Sequence, residues 1–325
     1  MSGVTVAALV VGGTGTTGRR VVAGLLDAGV RVRAASRRAT AVAGAEAVRF
    51  DWDDPTSYDG VLGGGVDRVY LIPPPGTSDP AAVMLPFLRR ARASGVRRAV
   101  LLSSSAIPAG GPAVGQVHAA LPGIFDEWAV LRPSWFMQNF TGDHLHARTV
   151  RAEGVIRTVA GEGRVGFIDA EDIAAVAVRA LLDDRAPNTD LVITGPQALS
   201  YGDIAAVLTE VTGRTVVHQR LTREEMVQRL AAEMPAAFAS ILADMDLAIA
   251  GGVEDRTTDT VERITGRPPR DFRAVAVREA GGGVWCVGTR VRVRPWPPVP
   301  PPVLLPVPVR KPRAAEAVPS SSVRG

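Results

Sequence analysis

Lysine and cysteine are almost missing from this chain. Each occurs once in 325 residues, as Lys311 and Cys286, and both fall near the end. A lone cysteine excludes a disulfide framework, and the body of the chain has no thiol chemistry to offer. Histidine is scarce too, with only His118, His144, His146 and His218. No run of about 20 apolar residues is present, which excludes a membrane-spanning helix. The opening "MSGVTVAALVVGG" lacks a basic segment and runs straight into a glycine turn. It reads as a buried strand rather than a signal peptide, so a cytoplasmic protein is expected.

The net charge of +4 invites a nucleic-acid reading, but the charge is unevenly spread. Residues 281–325 carry seven basic residues and one acid, a net of +6, which leaves residues 1–280 at −2. A slightly acidic body argues against a nucleic-acid footprint. The last 45 residues hold ten prolines along with the sole lysine and cysteine. Such a segment makes neither helix nor central strand. It reads as a disordered or polyproline-like tail: a non-functional extension or a reading-frame artefact, with a proline-ligand role the lesser alternative.

The body itself is regular. Apolar strand patterns at 4–11 ("VTVAALVV"), 30–38 ("VRVRAASRR"), 45–54 ("AEAVRFDWDD"), 66–75, 97–106 and 128–136 alternate with helical patterns such as "RRVVAGLLDAG" and "AAVMLPFLRRARASG", each closed by glycine. This alternation predicts an α/β fold, a doubly wound parallel sheet with helices on both faces and right-handed crossovers. Beyond residue 140 the pattern turns mostly helical. "DAEDIAAVAVRALLDD" begins with acids Asp169 and Asp172, placed to meet a helix dipole, and "SYGDIAAVLTEVTG" has Ser200 as its N-cap. The expected division is a dinucleotide-binding core at 1–140, remaining strands and a helical substrate-covering region at 141–280, and the tail at 281–325.

The strongest motif is "VVGGTGTTGRRVVAGLL". Gly12, Gly15 and Gly18 stand at G-x-x-G-x-x-G spacing between the first strand and the first helix, with Thr14, Thr16 and Thr17 between them. Glycines there permit a tight turn and close approach of a pyrophosphate to the backbone, beneath a helix N-terminus. The end of the second strand discriminates between cofactors. An acid there would bind the ribose hydroxyl of NAD. This chain has Ser36, Arg37 and Arg38 instead, and arginine pairs with a 2′-phosphate, so NADP(H) is expected over NAD. Asp51 and Trp52 are placed beside the adenine, and Ile72, Pro73 and Pro74 form a stiff wall beside its ribose.

Taken with "LLSSS", "LRPSWFMQNF", "GRVGFIDAEDIA" and "TGPQALSYGDIAAVLTEVTGR", these motifs resemble the NmrA-like group of atypical short-chain dehydrogenases over about residues 5–280. The likeness is to the branch of ergot-alkaloid-type reductases and bacterial NAD(P)H quinone or azo reductases. It implies a Rossmann-type domain with a small C-terminal covering region, NADPH, and reduction of small unsaturated molecules. The group also contains redox sensors that bind the dinucleotide without turning it over.

The usual proton relay of short-chain dehydrogenases, a tyrosine and a lysine four residues apart, has no place here. The tyrosines are Tyr58, Tyr70 and Tyr201, and none follows the fifth strand at the required distance. Ser103 and Ser104 remain at the strand end, where ligands bind in such sheets. His118 falls at about the tyrosine position and Pro122 at the lysine position. Ser104 and His118 are therefore the catalytic candidates, with His118 either a general acid or a pocket-lining residue. Ser103 and Pro133 join the cofactor set. Trp135, Phe136 and Asn139 are expected to line a substrate pocket facing the nicotinamide. His144 and His146 form an H-x-H pair without a third ligand, so no metal site is expected. The expected function is an NADPH-dependent reductase of a quinone, iminium, activated alkene or aldehyde. The alternative is a silent NADP(H) sensor. The expected partner is a small molecule, with no nucleic acid and no membrane.

Overall fold

Ala7–Val11 is apolar and buried at every position, as a strand must be when both of its faces are covered. In the computed structural model, which describes residues 6–281, this strand (β1) lies at the centre of a seven-stranded sheet. β2 (Arg31–Ser36) and β3 (Glu46–Arg49) extend it on one side. On the other lie β4 (Arg68–Leu71), β5 (Arg98–Leu102) and β6 (Glu127–Pro133). All six pair in parallel.

Side chains of β1 alternate between two cores, as a two-residue period requires. Leu9 and Val11 pack with Phe50, Phe87 and Leu121. This layer carries α2 (Tyr58–Leu62) and α3 (Ala81–Ala93), and then α4 (Gly115–Ala120). Ala8 and Val10 pack with Val21, Leu25 and Ile173. That layer carries α1 (Gly18–Asp27) and, later in the chain, the helix Ala170–Leu182. α1 and α3 close at Gly29 and Gly95, both with positive φ, which glycine adopts without a Cβ penalty.

Past β6 come two short helices, α5 (Gln138–Thr141) and α6 (Leu145–Glu153). β7 (Val155–Thr158) and β8 (Arg164–Val165) follow, then α7 (Ala170–Leu182), capped by Asp169. β9 (Thr189–Ile193) returns to the main sheet beside β6, giving the order β3-β2-β1-β4-β5-β6-β9. β10 (Leu199–Ser200) pairs antiparallel with β8. Ser200 and Asp203 form a capping box on α8 (Tyr201–Thr212). β11 (Val217–Arg220) pairs with β7, and α9 (Arg223–Ala231) and α10 (Ala236–Ala250) follow on either side of Pro235. α11 (Thr260–Thr265) packs on α7, and α12 (Phe272–Gly281) on α8.

Three features depart from the sequence expectation. The second strand stops at Ser36 rather than Arg38, because the chain turns there: Ala39 N–H donates to Ser36 O at 3.2 Å. The strand expected to reach Phe136 ends at Pro133. The β7–β11 ribbon was not expected, since "VHQR" has no apolar period and becomes a strand through its partner. The proline-rich reading of the tail concerns residues that lie, from 282 on, outside the described ones. Among the described residues no helix is long and apolar enough to cross a membrane.

Candidate dinucleotide site

The strand order reverses between β1 and β4, so a crevice opens at the carboxyl ends of these strands. The glycine turn occupies it. The N–H groups of Gly12 and Gly13 both donate to Ala35 O at 3.0 Å, which ties the turn to β2. Gly12 has φ +76°. A Cβ on Gly18 would collide with the Gly12 carbonyl oxygen, so only glycine lets α1 start this close to the turn. The amides of Thr16, Thr17 and Gly18 find no acceptor among the described residues, and the first turn of α1 contains no acid. Free N–H groups at a helix start are a seat for an anion such as pyrophosphate. The residues present therefore fit a dinucleotide. Arg20 braces the turn, donating to Thr16 O at 2.8 Å and pairing with Glu171 at 2.7 Å.

A cleft of about 730 Å³ extends from this turn. Gly12, Thr14, Gly15, Thr16 and Thr17 line it from β1, Ser36 and Arg37 from β2, Asp51 and Trp52 from β3, and Ile72, Pro73 and Pro74 from β4. These twelve residues of the expected cofactor set thus meet in one place. Gly18, Arg38, Ser103 and Pro133 do not line it: Gly18 supports the turn from behind, and Arg38 lies exposed. Thr17 is buried, its hydroxyl accepts from Tyr70 OH at 3.2 Å, and its amide is left without an acceptor among the described residues. Trp52 is buried, its ring nearly at right angles to that of Phe50 with centroids 4.8 Å apart, and its Nε1–H donates to Ile72 O at 3.2 Å. Arg37 is exposed and has no carboxylate partner among the described residues. Sequence reasoning missed Gly76–Asp79, which continue the prolines along the cleft, and Leu102, which lines it beside the expected Phe136. The polar "GTSD" after the proline run was the available signal.

Beyond Leu102 the serine loop is held firmly. Ser103 N–H donates to Leu131 O at 2.7 Å, and Ser105 N–H to Pro133 O at 2.9 Å. Arg132 donates to Ser105 O at 2.8 Å and pairs with Asp190 at 2.6 Å. Ser105 itself is committed, donating to the buried Glu254 at 2.8 Å. The Ser103 hydroxyl is buried without a partner, while Ser104 is half-exposed and its hydroxyl accepts from Ala106 N–H at 3.3 Å. His118 does not line the cleft. It is buried on α4, 6.5 Å from the Trp128 ring, with Nδ1 unpartnered. Burial and Arg132 lower its pKa against the pull of Asp190, so the ring is neutral at pH 7.

Trp135, Phe136 and Asn139, expected to share one pocket, are divided. Ile168 N–H donates to Trp135 O, and Met137 N–H to Ile168 O, both at 2.9 Å. In this short ladder neighbouring side chains face opposite ways. Phe136 faces the cleft, while Trp135 and Asn139 line a second hollow of about 1050 Å³. The H-x-H pair belongs to the second hollow and has a structural explanation. His144 Nδ1 caps α6 by accepting from His146 N–H at 3.2 Å, and His146 stacks on Phe140 at 5.6 Å. No group of three possible metal ligands occurs among the described residues.

A family model described as NAD(P)H-binding matches residues 12–123. The chain is 44% identical over 273 residues to the oxidoreductase YesF of Bacillus subtilis strain 168, covering 84% of this chain and 94% of that one. It is 38% identical over 274 residues to agroclavine dehydrogenase of Claviceps fusiformis, covering 81% and 94%. The structure of the Citrobacter sp. triphenylmethane reductase complexed with NADP(H) superposes with a TM-score of 0.68 at 25% identity, covering 84% of this chain and 99% of that one. The glycine turn, the switch-point cleft and these likenesses agree: the chain belongs to the NAD(P)H-binding, NmrA-like group of atypical short-chain reductases.

Proposed function

We propose that this chain is an NADPH-dependent reductase of small, flat electrophiles, such as a quinone, an iminium, or an activated alkene or aldehyde. The cofactor, when bound, supplies the hydride. The chain's own residues bind, orient and shield. The amides of Thr16, Thr17 and Gly18 would hold the pyrophosphate, and Arg37 the 2′-phosphate. Leu102 and Phe136 give the far end of the cleft an apolar wall that excludes water. Ser104, half-exposed two residues past the cleft-lining Leu102, would donate its hydroxyl proton to the heteroatom of a substrate that reaches beyond the cleft wall. His118, buried and neutral, is assigned to packing.

The observation that carries this reading is the unpaired Arg37 on the cleft wall where an NAD site needs an acid. Among the described residues no tyrosine–lysine pair is available, so the substrate must need little acid catalysis, and an electron-poor acceptor meets that condition. The same lack favours a second reading, a dinucleotide sensor without turnover. Cofactor oxidation followed against quinones, iminium salts, enals and aldehydes separates the two. Turnover is expected on at least one class. Tight NADPH binding with no turnover on any would overturn the enzyme reading.

A further inference from the structure

The second hollow takes no part in the chemistry above. Its volume of about 1050 Å³ matches the upper end of small-molecule pockets, roughly 300–1,000 Å³. The ladder at Trp135–Met137 walls it off from the cleft. Met226, Leu230, Met234, Leu242 and Met245 give its lining an apolar part. Thioethers adapt to irregular apolar shapes, and Trp135 and Tyr201 add aromatic surface.

Within this lining stands one buried carboxylate. Asp246, on α10, is 8% exposed. One of its oxygens accepts from Val159 N–H at 3.2 Å, and the other has no hydrogen-bond partner among the described residues. The other buried acids among the described residues each have a cation beside them, Glu254 having Arg256 at 3.6 Å. Asp169 receives bonds from Gln138 and Arg278, and Asp172 is paired with Arg270. A buried carboxylate with one oxygen unpartnered is costly to keep without a role.

No nearby group neutralises it. From α6, His144 and His146 face the hollow, and burial holds His144 down to about 4 and His146 well below the ordinary histidine value. From α8 comes Tyr201, kept protonated by its burial and by Asp246 itself. His218 on β11, beside Tyr201, is also lowered by burial. Arg148 is engaged with Glu233 at 2.5 Å, and Glu153 with Arg157 at 2.7 Å. Arg229 and Asp143 carry the remaining charges on the lining. Burial raises Asp246 to about 6, opposed only by the Val159 N–H.

We propose that this hollow is a second ligand site, separate from the dinucleotide cleft, that binds a small hydrophobic cation with Asp246 as its counter-ion. A cation supplies the missing partner of the carboxylate and gains from the Trp135 and Tyr201 rings. The ligand's apolar body replaces water against the methionines.

The test uses the full chain and two probes of equal shape and opposite charge, tetraphenylphosphonium and tetraphenylborate, titrated by calorimetry. Neither probe titrates, so any pH dependence belongs to the protein. At neutral pH the phosphonium is expected to bind at least about tenfold more tightly than the borate. Its affinity is expected to fall roughly tenfold between about pH 7.5 and pH 5, as Asp246 takes up a proton. D246N is expected to lose about tenfold of phosphonium affinity at neutral pH and to lose the pH dependence, while NADPH binding stays intact. Saturating NADPH should leave phosphonium affinity unchanged. Equal binding of the two probes, a pH dependence that survives in D246N, or displacement by NADPH would each overturn the proposal. If D246N fails to fold, the probe comparison and the pH series on the unmodified chain decide it.

Discussion

The two hollows of this molecule are made of different materials. The cleft at the switch point is built largely from backbone: a glycine turn, three unpaired amides, a proline run and the carboxyl ends of four strands. The second hollow is built from side chains: methionines, two histidines, a tryptophan and one buried acid, contributed by segments more than a hundred residues apart. A backbone-built site is fixed by local sequence and tolerates no change at a few glycines. A side-chain-built site depends on tertiary packing and is open to tuning one residue at a time.

Substitutions test this contrast. The largest effect is expected from Gly18→Ala. Its Cβ has nowhere to go but into the Gly12 carbonyl, so the turn must open. NADPH affinity should fall about a hundredfold or vanish, and thermal unfolding should report a loss of about 1–3 kcal/mol. Asp246→Asn should act in the opposite sense on stability. The folded-state pKa of Asp246, about 6, lies above the ordinary 3.8, so the folded chain holds an extra proton between these values. That stabilisation is complete below about pH 4 and is lost as pH rises through 6. The variant should therefore be about 2–3 kcal/mol more stable than the parent at neutral pH, with no gain below pH 4, as urea titration across pH would show. Arg37→Asp combined with Arg38→Ala should shift the NADPH-to-NADH affinity ratio by about tenfold, roughly 1.4 kcal/mol, without changing stability. The smallest effect belongs to His118→Gln. It lies outside the cleft, so turnover and its pH profile should change less than about twofold.

The same contrast explains what the sequence made legible. Gly12, Gly15 and Gly18 announce the turn because their spacing is the turn. The apolar strands announce the sheet because burial on both faces leaves no polar position in "AALVV". Gly29 and Gly95 mark helix ends through a conformational need that is local. Trp135 and Phe136 read alike as aromatics beside a nicotinamide. Only the pairing with Ile168, more than thirty residues away, sends them to opposite sides. β11 has no signature of its own and exists because β7 offers it an edge. Asp246 sits in an ordinary helical stretch, and its isolation becomes visible only when α6, α8 and α9 close around it. His118 stood at a suggestive position in the chain, yet the short α4 buries it.

On the proposed reading, the amide-lined turn and Arg37 make the cleft an NADP(H) site. The most direct measurement is a pair of calorimetric titrations of the unmodified chain with NADPH and with NADH under the same conditions. NADPH binding at least about tenfold more tightly than NADH is the predicted result. Equal affinities, or tighter binding of NADH, would contradict it.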